Sequence, residues 1–490
     1  MQIAAGWVLC VWLTVLLAIW IRVSFSHAMR TMAKFICDED TSPTAFNGLI
    51  GPDDAPRQYA GDPNPWPKVT IITPGRNEGH VLSRTLGSLC QLDYPNFHVI
   101  FVDDQSTDNT RDVCRELMGR YPHLQVIHHH QSPPAGWGGK VWAIQQAVDM
   151  IDGDLVLFTD SDIWHHPQSL RKMVQLQHHR NIDMLSLLPR METGSLLEQA
   201  VMLMAQHALM TMAPLYRSND PANPTPLTAG AYMLFRTSAY RSMGGHESIR
   251  THLIEDLALG TQSRSKGLTV FTVCTRKLLS GRMYEGLMDT FCGMKKNAYA
   301  GLRSSPIIAF FTTIFMLLAG VCIPLYLIFS VIALCLHPAL PWAVAVLLAL
   351  ALNAIFFFHF EQLRRLTCQK PGSPFFMPLG MLFCLGVIAA SMWDYYVRGG
   401  SVWSGRVYAR REVDINATIL TGERKVPAKS DAPIICRQLS TALFPLARRP
   451  AVQTPSAIRE KQTPYRSAAD CHAPPILSAP PAMPRGRLQE

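Results

Sequence analysis

The sequence predicts an α/β domain with a mostly parallel sheet, inserted between an N-terminal transmembrane helix and further transmembrane helices after it. Three observations carry this. Long uncharged apolar runs lie at both flanks, short β-branched runs alternate with helix-like stretches between them, and acidic pairs stand at the ends of those runs.

Composition narrows the class. Of 490 residues 48% are apolar and 17% charged, with the apolar excess gathered into runs, which points to a membrane protein rather than a disulfide scaffold. Residues 424–490 hold 11 Lys/Arg against 4 Asp/Glu and so account for +7 of the +9 net charge. With so little left elsewhere, no nucleic-acid partner is expected. The 12 cysteines include no CxxC pair and no zinc-type spacing with histidine, so they are expected as reduced thiols in a reducing compartment.

Residues 1–23 form the expected anchor: residues 1–21 carry no charge, enough to span a ~30 Å hydrocarbon layer at ~1.5 Å per residue. No basic stretch precedes them, so an uncleaved anchor is expected rather than a signal peptide. Arg22, Arg30 and Lys34 follow and place the next segment in the cytoplasm. Residues 24–67 are assigned as a linker, rich in Pro, Gly and Asp from residue 41 onward.

The run 304–360 contains no Asp, Glu, Lys or Arg and is broken by His337-Pro338-Ala339-Leu340-Pro341, which suits two spans and a turn. Another uncharged run covers 371–393, so the region 304–396 holds two or three spans. Parity is awkward: three spans would put the end of the chain outside, yet Arg398, Arg406, Arg410 and Arg411 argue for inside. One run is therefore expected to be re-entrant or interfacial. A juxtamembrane segment 397–423 follows, and the Pro-rich basic tail 424–490 is expected to be disordered.

Within residues 68–303, strands are expected at 68–73, 98–102, 125–127 and 155–159, with a helix from Glu78 to Leu92. In such sheets ligands bind at the carboxyl ends of the strands, where the polar clusters fall. Asp160 and Asp162, two apart in extended backbone, face one side and suit one Mg²⁺ or Mn²⁺ shared with substrate phosphates. Asp103 and Asp104 end an earlier strand and suit a base or ribose, while Ser106 or Asp108 suits a helix cap.

The Gly136-Trp137-Gly138-Gly139-Lys140 stretch lets backbone N–H groups approach an anion, with Lys140 adding charge. Glu255-Asp256 opens a helix, and a carboxylate there suits a general base. Arg282 suits a diphosphate partner. Lys295 and Lys296 are assigned to the juxtamembrane surface, and the histidine pairs lack metal-ligand spacing.

In order, Ile72-Thr73-Pro74-Gly75-Arg76-Asn77-Glu78, Val102-Asp103-Asp104-Gln105-Ser106-Thr107-Asp108, Gly136-Trp137-Gly138-Gly139-Lys140, Thr159-Asp160-Ser161-Asp162 and Ile254-Glu255-Asp256 resemble the family 2 glycosyltransferases of GT-A fold. The Gly-Trp-x-Gly-Lys element and Trp403-Ser404-Gly405-Arg406-Val407-Tyr408 are most similar to the hopanoid-associated, carotenoid and ceramide members. The resemblance implies inverting transfer of one sugar from a nucleotide-sugar, usually a UDP-sugar, with a divalent cation (Mg²⁺ or Mn²⁺), onto a lipid or isoprenoid acceptor. It implies a bacterial inner membrane protein with its catalytic domain in the cytoplasm.

Carried over by position, Pro74, Arg76, Glu78, Asp103 and Asp104 line the nucleotide pocket, and Lys140, Asp160 and Arg282 meet the diphosphate. Asp162 and Asp160 hold the metal, and Asp256, or less readily Glu255, is the base. Two rivals remain, a processive polysaccharide synthase and a catalytically inactive GT-A scaffold. The Gln-x-x-Arg-Trp element of the processive enzymes is missing, since no Trp follows an Arg.

Overall fold

The initial apolar run forms α1 (Gln2–Ser24), and Ser26 caps a short α2 (His27–Met32) by accepting the N–H of Met29. The computed structural model describes residues 2–42, 45, 65–134, 136–252, 254–302, 304–403 and 406–409. The basic tail, most of the juxtamembrane segment and residues 46–64 of the assigned linker lie outside the described residues.

The first part of that linker is corrected. Met29, Met32, Phe35 and Cys37 are buried, and Cys37 N–H donates to the Cys274 carbonyl at 2.7 Å. Asp38 accepts from Thr275 Oγ1 (2.8 Å), from the N–H of Arg276 (2.9 Å) and Lys277 (3.0 Å), and from Arg276 Nε (2.9 Å). Burial alone would raise the Asp38 pKa, but these donors hold it below its usual range. The segment is welded to the α/β domain instead of tethering it loosely.

The expected alternation follows as β1 (Val69–Gly75), α3 (Leu82–Cys90), β2 (Phe97–Asp104), α4 (Thr110–Arg120), β3 (Leu124–His129), α5 (Gly139–Gln145) and β4 (Leu155–Phe158). Helix α3 starts at Leu82 rather than Glu78, because residues 76–81 form the loop over the β1 tip. Then come β5 (Ile163–His165), α6 (Ser169–Arg180), β6 (Met184–Leu188), β7 (Arg190–Met191), α7 (Leu196–Met212), α8 (Leu215–Ser218) and β8 (Met233–Arg236). After α9 (Thr237–Ser242), the domain closes with α10 (Glu255–Ser265), β9 (Val270–Cys274), β10 (Leu279–Gly281) and α11 (Gly286–Gly301).

Seven strands form one sheet in the order β3-β2-β1-β4-β8-β6-β9. All neighbours are parallel except β8, antiparallel to both β4 and β6. Side chains alternate between two cores: Ile71, Val99 and Phe101 pack on one face, and Ile72, Ile100 and Val102 on the other. Both faces being dry explains the near-continuous apolar runs. A smaller sheet, β5-β10-β7, stands beside the carboxyl end of β4.

The later apolar region gives α12 (Pro306–Met316), a π-turn at Leu317–Val321, α13 (Ile323–Leu336), α14 (Leu340–Leu366) and α15 (Met377–Val397). Helices α12 and α13 bend by 52° where the π-turn meets Pro324, whose ring cannot donate to the helix ladder. Among the described residues three helices are long and apolar enough to cross a membrane, or four if the bent pair is one span.

Helices α1 and α14 run parallel: Gly6 packs against Pro341, and Trp20 meets Phe356 edge-on and His359 at a tilt. Helix α13 runs antiparallel to α14, with Ile323 near Asn353 and Phe329 near Trp342. Helix α15 packs instead along α7 and α11 of the α/β domain. Gly380 lies on Ala200, and Ser391 Oγ accepts the N–H of Tyr299 at 3.1 Å.

Candidate active site

Strand β1 is flanked by β2 and β4, so the loops after all three open at one edge of the sheet. The first two loops are laced together. Ser106 Oγ accepts the N–H of Asn77 at 2.9 Å, Asn77 Oδ1 accepts the N–H of Thr107 at 2.7 Å, and Thr110 Oγ1 accepts the N–H of Glu78 at 3.0 Å. Asn77 (φ 58°) and Gln105 (φ 62°) both adopt the left-handed region at these tips. Such backbone persists only where surrounding bonds hold it.

Asp103 departs from its expected role. It is fully buried and accepts from Ser106 N (3.0 Å), Arg111 Nε (3.0 Å) and His128 Nδ1 (2.9 Å). It builds the β2 tip rather than facing a ligand. Asp104, next in the chain, stands at the tip itself, where Gln105 Nε2 donates to it at 3.3 Å. Neither Ser106 nor Asp108 is the N-cap of α4, which is Asn109; Asp108, one residue earlier, accepts the N–H of Thr110 at 3.0 Å and of Gly79 at 3.1 Å.

After β4, Thr159 Oγ1 donates to the Ala231 carbonyl at 2.7 Å, which fixes the departure of the chain. Residues 161–162 form a turn, so the two carboxylates do not sit on one extended strand as expected. The two carboxylates nonetheless feel each other: burial and the Asp160 charge push Asp162 up to about 6. Glu78 joins them from the β1 loop, raised to about 7 by burial and by Asp162, Asp108 and Asp160.

Lys140, the second residue of α5, forms ion pairs with both Asp160 and Glu255. Burial alone would lower its pKa, but these carboxylates hold it well above the usual lysine value. The α5 start is tied to the loop before α10, since Gly138 N–H donates to the Arg250 carbonyl at 2.9 Å.

Asp256, in the first turn of α10, accepts the N–H of Gly230 at 3.0 Å and of Leu257 at 2.8 Å. Burial and the neighbouring Glu255 push it up to about 6. Glu255 is the opposite case: burial would raise it, yet Lys140 holds it below its usual range.

Arg282 is exposed at the end of β10. The antiparallel register pairs Gly281 with Ile163, so Arg282 follows on opposite Asp162. It lies 3.9 Å from Glu198 and from Glu285. Pro74 and Arg76 belong to the β1 tip, Pro74 buried and Arg76 half-buried.

The structure therefore joins Glu78, Lys140, Asp160, Asp162, Glu255 and Asp256 into one electrostatic cluster, with Asp104 at the neighbouring strand tip and Arg282 on the far rim. One member was missed. Lys296 on α11 interacts with Glu255, Asp256 and Asp160 and is lowered by burial. It stands in Met294-Lys295-Lys296-Asn297, where the sequence does not separate one lysine from the other, so only the fold reveals its partners. Among the described residues no three His, Cys, Asp or Glu side chains are grouped so as to hold a metal ion. Asp160 and Asp162 alone suit a cation that completes its shell with phosphate oxygens.

A recess of about 470 Å³, lined by Asp154, Arg236 and Arg241 among others, opens at the amino end of β4 and is remote from this chemistry.

Residues 70–244 match the model of glycosyl transferase family 2. The chain carries a family 2 glycosyltransferase domain. The match takes in the β1 and β2 tips, Lys140 and Asp160-Ser161-Asp162, and stops short of Asp256 and Arg282.

The beta-monoglucosyldiacylglycerol synthase of Synechocystis is 33% identical over 127 residues, 25% of this chain and 26% of its own length. The 4,4'-diaponeurosporenoate glycosyltransferase of Staphylococcus aureus is 28% identical over 240 residues, 48% of this chain and 61% of its own. The matches thus span about a quarter and about three fifths of these relatives. The mannosyltransferase PcManGT of Pyrobaculum calidifontis, solved with GDP-Man and Mn²⁺, aligns over 80% of this chain and 99% of its own at 15% identity and TM-score 0.47. The observed strand order and flanking apolar helices agree with the GT-A class expected from the sequence.

Proposed function

We propose that this protein moves one sugar from a nucleotide-sugar to a membrane lipid or isoprenoid acceptor by a single inverting displacement at the cytoplasmic face. The observation that carries the reading is Asp256: a buried carboxylate raised to about 6, oriented by two backbone N–H groups and set beside the Lys140 ion pairs. A carboxylate so placed is ionised at neutral pH yet basic enough to take a proton from an acceptor hydroxyl.

Asp104 with the β1 loop would receive the nucleoside. Asp160 and Asp162 would hold a divalent cation, whose raised Asp162 pKa marks charge awaiting compensation. When bound, that ion supplies positive charge against the leaving diphosphate. Lys140 orients Asp160 and Glu255, and Arg282 adds a guanidinium on the rim.

The acceptor class is supported by α7 and α11, which border the site and rest on α15, one of the apolar helices. The names of the relatives, a diacylglycerol and a diaponeurosporenoate enzyme, point the same way.

Helix packing also supports one arrangement of the spans. If α1 enters the cytoplasm at its carboxyl end, the parallel α14 does too, which puts Arg364 and Arg365 inside. The bent α12–α13 pair then crosses outward, and α15, packed under the catalytic domain, is the interfacial run.

Mass spectrometry of lipids from cells with and without the gene tests this. A new lipid carrying one sugar is expected; a polymer ladder, or an unchanged lipid profile in cells containing the protein, contradicts it.

A further inference from the structure

Lys295 and Lys296 are adjacent on α11, where successive side chains diverge by about 100°. They serve opposite directions. Lys295 Nζ lies 2.6 Å from Asp394 Oδ2 in α15, and Asp394 is only 3% exposed. Lys296 interacts electrostatically with the carboxylates Glu255, Asp256 and Asp160.

Further contacts fix the same pair of helices. Tyr299 Oη lies 2.7 Å from Tyr396 Oη, Tyr299 N–H donates to Ser391 Oγ at 3.1 Å, and Phe291 meets Phe383 edge-on at 5.7 Å. Arg398, one turn beyond on α15, approaches Asp394 Oδ1 at 3.3 Å and adds a second cation to that carboxylate. A charge on an apolar helix is costly unless it is paired, which makes Asp394 an improbable accident of packing.

We propose that Asp394 is a positioning residue for the transfer reaction: by holding Lys295 it sets the rotation of α11 and thereby delivers Lys296 to the donor diphosphate. The proposal rests on the nucleotide-sugar reading above. It makes the last apolar helix part of the catalytic apparatus, since a shift of α15 along α11 moves the Lys296 ammonium against the phosphates. Lys296 differs from Lys140 in this respect: Lys140 is fixed by two carboxylates of the domain itself.

The test is calorimetric binding of UDP and GDP, each compared with its nucleoside, to the purified full chain in lipid nanodiscs with Mn²⁺ present. Lys296→Ala and Asp394→Asn should each weaken diphosphate binding about tenfold while leaving nucleoside binding unchanged. The double variant should be no weaker than Lys296→Ala alone, because both act through one contact. Asp394→Glu, which keeps the charge, should restore binding.

Equal loss of nucleoside and nucleotide binding in Asp394→Asn, or additive losses in the double variant, overturns the positioning role and leaves a structural ion pair. If the wild-type chain binds neither UDP nor GDP, the nucleotide-sugar reading fails, and this inference with it.

Discussion

Glu255 and Asp256 are neighbours in sequence and opposites in environment: the first gives its carboxylate to Lys140, the second accepts the backbone N–H groups of Gly230 and Leu257. One is held as a stable anion and the other is raised, so the basic member of the pair is Asp256.

Glu255→Gln should therefore damage binding more than proton transfer. Losing this buried partner leaves Lys140 its pair with Asp160, and a disturbance of about 3–5 kcal/mol is expected from breaking a buried pair. Steady-state kinetics should show a raised donor KM, with a smaller effect on kcat.

Gly230 is held to glycine by its surroundings. A Cβ there would lie 2.9 Å from Lys140 Nζ and 3.1 Å from Asp160 Oδ2. Gly230→Ala should push the lysine off Asp160 and lower kcat/KM by about tenfold or more, with little change in Tm, because a flexible side-chain end can yield. Activity assays alongside thermal melts separate the two.

The pH dependence has a defined sign. Glu78 is raised to about 7 in the folded chain, above its unfolded value, so its neutral form stabilises at low pH and that contribution is lost as pH rises through about 7. Glu78→Gln should raise Tm at pH 8 and leave it nearly unchanged at pH 4. The gain should not exceed about 3 kcal/mol, at ~1.4 kcal/mol per pKa unit. Activity should fall on acidification through about 6 as Asp256 takes up its proton.

Asp38→Ala tests the docking of the membrane-proximal segment. It removes four hydrogen bonds from Thr275, Arg276 and Lys277 around a buried carboxylate, and should destabilise the chain by about 2–4 kcal/mol with more rapid proteolysis of residues 27–42.

Much of this was legible in the sequence because local patterns carried it. The β-branched runs of β1, β2 and β4 announce dry strands, and the acids after them mark the open edge of the sheet. Asp103 was not separable from Asp104, since one step along a strand exchanges the interior for the tip. Asp38 and Lys296 were hidden for another reason: their partners lie far away in the chain, and no spacing rule joins Asp38 to Arg276 or α11 to Glu255. The same holds for Lys295 and Asp394, which only the packing of α11 on α15 brings together.

The central claim is that Asp256 moves the proton while Asp160 and Asp162 secure the donor. Single-turnover transfer measured together with calorimetric donor binding for Asp256→Asn and Asp162→Ala tests it most directly. Asp256→Asn should bind donor as the wild type does and transfer about 100-fold more slowly or worse, whereas Asp162→Ala should lose donor binding itself. Wild-type transfer by Asp256→Asn, or undiminished donor binding by Asp162→Ala, would contradict the account.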